Sequence, residues 1–165
     1  MKLEDLKCID HDIDIKAYIE FRESVKAKME HPEWLGNFTY EEIDAMLKDN
    51  SKIWVYYDGD VPVCSMMLIP ATEKSVSKFN IDKNYKEVAD YGPMFVNFDY
   101  LGNGFQLQML KVEDQYSKDK GYNYASSTIH PENTFSIANF LKDDFEQIGF
   151  REFSRGPRNI YFKEL

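Results

Sequence analysis

The segment that most constrains the fold is the stretch 96–106, VNFDYLGNGFQ, in which an apolar strand gives way to a glycine turn and then to a helix. The helix presents one apolar stripe at the helical period, formed by Phe105, Met109, Val112 and Tyr116. The turn therefore lies at a helix N-terminus, where backbone N–H groups lack internal partners and the helix dipole adds partial positive charge. Gly102 and Gly104 allow a ligand to approach the main chain closely. This combination predicts a binding site for phosphate or pyrophosphate.

A glycine turn of this kind also has a purely conformational interpretation, because a sharp turn requires a positive φ angle. Two common nucleotide-binding motifs are absent from it. The turn has no Gly-Lys-Ser/Thr ending that would place a lysine on the β- and γ-phosphates. Leu107 stands where a Gly-x-Gly-x-x-Gly motif would have its third glycine. The sequence thus disfavours both a Walker-type site and a dinucleotide site.

The size and charge of the chain exclude several classes of protein. With 165 residues and 43% hydrophobic content, residues 1–165 are expected to form a single domain. The formal net charge of −9 argues against nucleic acids and anionic membranes as partners. Cys8 and Cys64 are the only cysteines, and without metal-ligand spacing no metal site is predicted. The sequence shows neither a signal-peptide pattern nor a long apolar run, so we expect a cytoplasmic protein.

Hydrophobic periodicity and turn residues predict a mixed series of strands and helices. Thr39 and Glu42 form a capping box, and alternating residues on both sides of Gly59 predict a β-hairpin. Gly121 is expected to end the helix that follows the glycine turn. The predicted elements are a strand over 3–9, a helix over 15–29, a short helix that carries 43–47, hairpin strands over 53–57 and 61–69, a long loop over 71–86, a strand over 87–98, a helix from 105, a strand over 122–129, a helix over 137–148 closed by Gly149 and Phe150, and strands over 150–153 and 159–162.

In this order of elements the chain resembles the GNAT superfamily of acetyl-CoA-dependent N-acyltransferases, over essentially its whole length. Residues 96–106 are similar to the family's motif Val-x-Pro-x-Tyr-Arg-Gly-x-Gly-x-Gly/Ala around the cofactor pyrophosphate. The residues His130-Pro131-Glu132-Asn133, with Ser136 and a closing Gly149-Phe150, are similar to the start and end of the family's fourth helix. The resemblance implies an α/β (α+β) fold with a central mixed, mostly antiparallel sheet flanked by helices, in the order β-α-α-β-β-β-α-β-α-β-β.

The same resemblance implies acetyl-CoA as the cofactor, bound mainly by main-chain N–H groups of the turn. Strand 87–98 would splay from strand 122–129 and bind the pantetheine arm through its backbone. Leu101 replaces the family's Arg or Gln and Phe98 replaces its Pro, but a main-chain cradle survives both changes. The stretch 133–149 exceeds the family's usual spacing, which suggests a longer helix or a bulge. The implied cofactor-binding residues are Met94, Val96, Leu101, Gly102, Asn103, Gly104, Phe105, Gln106, Asn133 and Ser136.

Acyl transfer to an amine needs a neutral nucleophile, a donor for the developing oxyanion and a proton for the leaving thiolate. In many members of the family a tyrosine seven residues after the helix-starting asparagine supplies that proton. Here that position is Phe140, which has no proton to give. The resemblance therefore leaves the general acid unassigned.

The predicted catalytic residues are Glu87, Tyr91 and His130, and each has a structural alternative. Glu87, like Asp90, could deprotonate an amine, although carboxylates at strand ends are usually solvated. Tyr91 could donate a proton, although strand tyrosines are more often half-buried packing residues. His130 ends the fifth strand close to the expected cofactor, or is a turn residue fixed by Pro131.

We expect an acetyl-CoA-dependent N-acetyltransferase in which a primary amine of a small molecule or peptide attacks directly in a ternary complex. One alternative, favoured by Leu101 and Phe140, is a catalytically silent CoA-binding regulatory or interaction module. Another is a phosphate-binding domain unrelated to CoA. The excess of Asp+Glu, 29 against 20 Lys+Arg, favours a cationic acceptor unless the charge is spread over solvated helix faces. Assembly as a homodimer is left open.

Overall fold

The computed structural model describes residues 1–165 as one eight-stranded sheet with five helices. The strands are β1 (Leu6–Cys8), β2 (Lys52–Asp58), β3 (Val61–Pro70), β4 (Val88–Tyr91), β5 (Phe95–Val96), β6 (Tyr124–Ile129), β7 (Glu146–Phe153) and β8 (Gly156–Glu164). The helices are α1 (Asp12–Lys26), α2 (Tyr40–Lys48), α3 (Glu73–Lys78), α4 (Phe105–Asp119) and α5 (Thr134–Lys142). The strand order is β1-β2-β3-β4-β6-β8-β7, and β5 pairs with β3. All pairs are antiparallel except β4 with β6, which confirms the predicted mixed sheet.

The sheet separates two hydrophobic cores, because successive residues of a strand point to opposite faces. On one face, Trp54 of β2 and Leu68 of β3 belong to the core formed with α4 and α5. On the other face, Ile53 and Met67 belong to the core formed with α1 and α2. None of the five helices combines the length and the apolar character that crossing a bilayer requires.

Several local predictions are confirmed. Gly59 adopts a φ of 58° in the turn between β2 and β3, which form the predicted hairpin. At the start of α2 the Glu42 N–H donates to Thr39 Oγ1 over 3.2 Å, and the Thr39 N–H donates to Glu42 Oε2 over 2.7 Å. Gly121 adopts a φ of 86° just after α4, as expected of a residue that ends a helix.

The predicted continuous strand over 87–98 is wrong, because the chain breaks into β4 and β5 around Gly92 and Pro93. Pro93 has no N–H to donate to a neighbouring strand. The Gly92 N–H donates to the Met67 carbonyl of β3 over 2.7 Å, and a Cβ at Gly92 would lie 3.1 Å from that oxygen. A glycine is therefore needed for the close approach of this segment to β3.

The last predicted helix, over 137–148, is also wrong, because α5 ends at Lys142 and β7 begins at Glu146. Asp144 takes a φ of 63° after the helix, and the Phe145 N–H donates back to the Phe140 carbonyl over 3.1 Å. These are the features of a helix ended by a left-handed residue. Gly149 and Phe150 consequently lie within β7, where a bulge falls between Gln147 and Gly149. The excess length noted after Asn133 belongs to this strand.

The remaining corrections concern the ends of elements. The predicted loop over 71–86 contains the short helix α3, whose cap Thr72 accepts the Ser75 N–H over 3.1 Å. The first strand is confined to β1, because 3–5 forms a turn of 3-10 helix in which Asp5 accepts the Lys2 N–H. The two terminal strands extend from the predicted 150–153 and 159–162 to the full lengths of β7 and β8.

A buried ionic cluster joins β8 to α4 and α5. Lys163 of β8 donates from Nζ to Asp114 over 2.5 Å and to Asp143 over 2.6 Å, and also to the Asp143 carbonyl over 3.0 Å. Lys111 of α4 lies 2.5 Å from the other carboxylate oxygen of Asp143. Two lysines thus balance two carboxylates in this cluster, which we call the α4–α5 ionic cluster.

Glu113 lies next to this cluster without a partner of its own. The residue is 0% exposed, and neither of its carboxyl oxygens has a hydrogen-bond partner. Burial, together with the negative charge of Asp114, raises the pKa of Glu113 well above its ordinary value. The protonated carboxyl is the form that avoids an uncompensated buried charge.

Replacing Glu113 by Gln should stabilise the protein by an amount that grows with pH. Because the pKa is higher in the folded chain than in the unfolded chain, the folded state binds more protons between the two values, and stability falls as pH rises through this interval. Gln does not ionise, so we expect the Tm of E113Q to exceed that of the parent more at about pH 8 than at about pH 4. Thermal unfolding at both pH values measures the difference. Glu20→Gln, at an exposed position of α1, is the control. A gain in Tm of E113Q that does not depend on pH would contradict a raised pKa of Glu113.

Candidate functional site

The site begins where the parallel pairing of β4 with β6 ends. The two strands pair from Val88 opposite Tyr124 to Asp90 opposite Ser126. Beyond this point β5 pairs with β3, while β6 continues beside β8 as far as Ile129. The two strands therefore splay apart, as the family resemblance implied, and a cavity of about 460 Å³ opens between them.

Residues from both helical layers line this cavity. The glycine-turn side contributes Leu101, Gln106, Asn133, Ser136 and Phe140. The α1 side contributes Met29, Trp34, Leu35 and Phe38, together with Arg155 from the turn between β7 and β8. Met94 and Val96, from the broken strand, also line the cavity. One opening therefore joins the turn at the start of α4 to the space beside α1.

The glycine turn is shaped to leave main-chain N–H groups available. Gly102 and Gly104 have φ angles of 81° and 71°, and no atom lies within 4 Å of the position where a Cβ would stand at either residue. The α2, α3 and α5 helices start at side-chain caps, whereas α1 and α4 do not, and α4 starts at Gly104, which has no side chain. Asn103 supports the turn by donating from Nδ2 to the Tyr100 carbonyl over 3.0 Å. The first N–H groups of α4 are thus free of a side-chain partner.

Gln106 connects α4 to α5 at the edge of the cavity. Its Nε2 donates to Ser136 Oγ over 3.0 Å, and its Oε1 accepts from Asn139 Nδ2 over 2.7 Å. Asn133 caps α5 by accepting the Ser136 N–H over 3.2 Å. Gln106 therefore joins the two helices through the side chains of Ser136 and Asn139, and Asn133 holds the main chain of Ser136 at the start of α5.

The structure brings most of the predicted cofactor residues together. Those that line the cavity are Met94, Val96, Leu101, Gln106, Asn133 and Ser136. Gly102, Asn103, Gly104 and Phe105 form the adjoining turn and the first residue of α4. The ring of Phe105 packs near Tyr56, with 5.8 Å between ring centroids, so its side chain belongs to the core.

Asp90 and the exposed Glu30 are the two carboxylates that line the cavity, and Asp90 is the less exposed of the two. The residue is half-buried, and its Oδ1 accepts from Ser126 Oγ over 3.1 Å. Burial raises the pKa of Asp90 to about 6, against the opposing effects of the Ser126 hydrogen bond and the positive charge of Arg155. A carboxylate with this pKa is ionised near neutral pH and is a better base than a solvated one.

The predicted catalytic residues Glu87 and Tyr91 are placed differently from Asp90. Glu87 lies outside the cavity, before the first residue of β4, and accepts from Asn123 Nδ2 over 2.5 Å. Tyr91 borders the cavity, but its hydroxyl donates to Asp114 over 2.9 Å within the core. Burial raises the pKa of Tyr91 far above its ordinary value. Neither side chain therefore presents an acid or base to the cavity.

His130, the third predicted catalytic residue, lines the cavity as part of an aromatic stack. Its ring centroid lies 5.1 Å from that of Trp34, and Trp34 also stacks on His31 with 4.4 Å between ring centroids. Nδ1 of His130 accepts the Glu132 N–H over 3.2 Å, which leaves Nε2 as the free ring nitrogen. Arg158 holds the loop of this stack by donating to the Glu33 carbonyl over 3.1 Å. His130 thus supports the cavity wall.

No pattern in the sequence marks Trp34, Phe38 or Arg155 as parts of the site. Trp34 and Phe38 belong to the irregular segment between α1 and α2, which has no periodicity to interpret. Arg155 could be recognised only as a turn residue between two strands. Among the residues on the α1 side of the cavity, only Asp90 was recognisable as a candidate from the sequence, because it is a carboxylate on the strand that leads into the glycine turn.

Neither a scan against protein-family models nor a search of curated proteins gave a match to the sequence. Solved structures do resemble the chain. A probable acetyltransferase from Staphylococcus epidermidis ATCC 12228 gives a TM-score of 0.75 at 15% identity, covering 96% of this chain and 97% of that one. An acetyltransferase of the GNAT family from Streptococcus pneumoniae gives 0.72 at 14% identity, covering 97% and 99%.

An aminoglycoside acetyltransferase, AAC(6')-Ib, in complex with coenzyme A and kanamycin, gives a TM-score of 0.71 at 13% identity, covering 96% of this chain and 94% of that one. Each similarity extends over nearly the full length of both chains. The chain therefore has the fold of the GNAT-family acetyltransferases.

Proposed function

We propose that the protein is an acetyl-CoA-dependent N-acetyltransferase that acts on a primary amine. One observation carries the proposal. The glycine turn, bracketed by Leu101 and Gln106, borders the same cavity that contains the Asp90 carboxylate, at the point where β4 and β6 separate. An anion site and a proton acceptor thus share one opening. The solved acetyltransferases with this fold, one of them in complex with coenzyme A, support the proposal.

The residues at the turn fit a bound pyrophosphate. The space beside Gly102 and Gly104 is open where side-chain atoms would otherwise stand, and the start of α4 has no side-chain cap. In the proposal the first N–H groups of α4 bind the phosphate oxygens, and the helix dipole adds to that attraction. The backbone near Met94 and Val96 binds the pantetheine arm along the strand break. Leu101 contributes no charge, so the affinity depends on main-chain groups.

Acetyl-CoA supplies an acetyl group activated as a thioester, and the acceptor amine must meet it in the neutral form. Asp90 takes the proton from the bound ammonium ion, because its carboxylate lies in the cavity and Ser126 holds one of its oxygens. Phe140 is 3% exposed and packs 4.8 Å from the ring of Phe145. The proposal therefore assigns no side chain to the protonation of the leaving thiolate.

Phe140 favours a second candidate function, that of a catalytically silent CoA-binding module, because its side chain has no proton to give to the leaving thiolate. Such a module would use the same turn and would bind CoA with the same dependence on Gly104. It would differ in one measurable respect, because no free CoA thiol would be released in the presence of amines. The half-buried Asp90 favours the enzyme, since a carboxylate whose pKa is raised in a cavity is typical of functional sites.

The acidic character of the chain does not extend to the cavity. The ionisable side chains that line it are Glu30, Asp90, Arg155, His31 and His130, whereas the hydroxyl of Tyr91 is turned into the core. Two carboxylates and one guanidinium therefore line the cavity, whereas the whole chain has a net charge of −9. The excess negative charge lies mostly on other surfaces, and the proposal does not include a polycationic acceptor.

Gly104→Ala should weaken CoA binding selectively. Gly121→Ala is a matched control, because Gly121 also has a positive φ and open space around it but lies at the opposite end of α4. Both variants should lose about 1 kcal/mol of stability from backbone strain. We expect the Kd for CoA, measured by calorimetry, to rise about tenfold or more in G104A only, since charge-assisted hydrogen bonds are lost. Equal affinities in the two variants would place the anion site elsewhere, and no rise in the parent's Tm on addition of CoA would contradict CoA binding itself.

Asp90→Asn should lower activity and raise stability together. With Asp90 as the base, kcat/KM should rise with pH through about 6, and this limb should disappear in D90N, with kcat lower by about 10²- to 10⁴-fold. The raised pKa of Asp90 also costs folding free energy once the unfolded carboxyl has ionised, so the Tm of D90N should be higher than the parent's near pH 7. Release of free thiol and thermal unfolding provide the two measurements. Glu87→Gln tests the other carboxylate that the sequence predicted as catalytic. A loss of activity in E87Q with full activity in D90N would refute the assignment of Asp90 as the base.

A further inference from the structure

The space beside α1 is mostly apolar. Its walls include Met29, Leu35 and Phe38, and the edge of the Trp34 stack completes them. An acceptor covered with hydroxyl or amino groups would leave them without partners against these side chains, at a cost of more than 1 kcal/mol for each unpaired group. The walls instead fit an aliphatic or aromatic body on the acceptor.

Arg155 brings an unpaired guanidinium to this apolar space. It extends from the turn between β7 and β8 towards the segment between α1 and α2, where its Nη1 lies 3.3 Å from the position of a Cβ on Gly36. The same Cβ position lies 2.9 Å from Pro93 Cγ. The absence of a side chain at Gly36 therefore makes room for Arg155. The guanidinium has no hydrogen bond and no ion pair within the chain, although it is the side chain best suited to bind a carboxylate in two-pronged geometry.

Asp90 and Arg155 are near each other without being paired. Arg155 is close enough for its charge to affect Asp90, yet the two side chains form no ion pair within 4.0 Å. A gap between a carboxylate and a guanidinium is complementary to a molecule that carries an ammonium group and a carboxylate on neighbouring atoms. Glu30 is exposed at the same cavity, and His31 and His130 stack on Trp34; none of the three forms a hydrogen bond or an ion pair with Asp90 or Arg155.

Resting on the function proposed above, we propose that the acceptor is a free apolar α-amino acid, with its ammonium at Asp90, its carboxylate at Arg155 and its side chain against Trp34 and Phe38. The amino nitrogen loses one proton to Asp90 and then forms the amide bond to the acetyl carbon as the carbon–sulfur bond breaks. The second proton on nitrogen leaves to solvent, and the leaving thiolate takes a proton from solvent. A free carboxylate next to the amine distinguishes this acceptor from a peptide N-terminus.

Matched acceptors test the proposal on the unmodified protein. Free thiol release is followed with L-phenylalanine, L-phenylalanine amide, phenethylamine, L-lysine and spermidine. We expect kcat/KM for L-phenylalanine to exceed that for the amide and for phenethylamine by about 10- to 100-fold, the value of a charged bidentate contact. Equal or better turnover of phenethylamine, lysine or spermidine would overturn the proposal. Turnover of any amine leaves the function as acetyltransferase intact, whereas failure of CoA to bind would remove the function itself.

Variants of Arg155 locate the contact. Assayed at about pH 8, well above the pKa of Asp90 that the Arg155 charge lowers, R155Q should lower kcat/KM for L-phenylalanine about 10- to 100-fold, mainly through KM, and change kcat/KM for phenethylamine much less. R155K should recover part of the loss, because it restores the charge without the planar fork. Arg151→Gln is the matched control, since Arg151 lies in the same hairpin but donates to the Lys78 carbonyl beside α3. A parallel loss with both acceptors in R155Q, or an equal loss in R151Q, would show that Arg155 acts through the fold and not on the carboxylate.

Discussion

The interruption of strand pairing after Asp90 is the constraint on which the rest of the structure depends. Gly92 and Pro93 direct the chain towards β3, because one donates to the Met67 carbonyl and the other has no N–H to offer β6. The sheet remains continuous, since β6 stays paired with β8 beyond the break. The result is a local gap in an otherwise intact sheet, bordered by helices on both faces. A ligand on one face can therefore meet a ligand on the other.

Consecutive residues of β4 point to opposite faces of the sheet. Asp90 presents a carboxylate to the cavity, while Tyr91 points into the core and donates to Asp114. That bond connects the broken strand to the α4–α5 ionic cluster, in which Lys163 holds Asp114 and Asp143. The position of α4, and with it the glycine turn, is thus tied to the same strand that carries the candidate base. The two halves of the site share one support.

How much the sequence could predict depended on how local each feature is. The turn at Gly59, the box formed by Thr39 and Glu42, and the glycine turn are encoded within a few residues, and all of them are present. The helix predicted over 137–148 was wrong because its apolar period continues through Phe145, while Asp144 reverses the chain. The contact between Arg155 and Gly36 joins segments far apart in sequence, so no local pattern could indicate it. The sequence identifies both Asp90 and Glu87 as candidate carboxylates. Only the position of the strand break shows that Asp90, and not Glu87, lines the cavity.

The glycine turn has a consequence for how such proteins diverge. A cradle made of main-chain N–H groups places few demands on the side chains around it, apart from the glycines whose positive φ angles shape it. Leu101 illustrates this freedom, because an uncharged residue replaces the Arg or Gln of related motifs. Homologues of this chain are therefore more readily recognised by superposition than by alignment of letters.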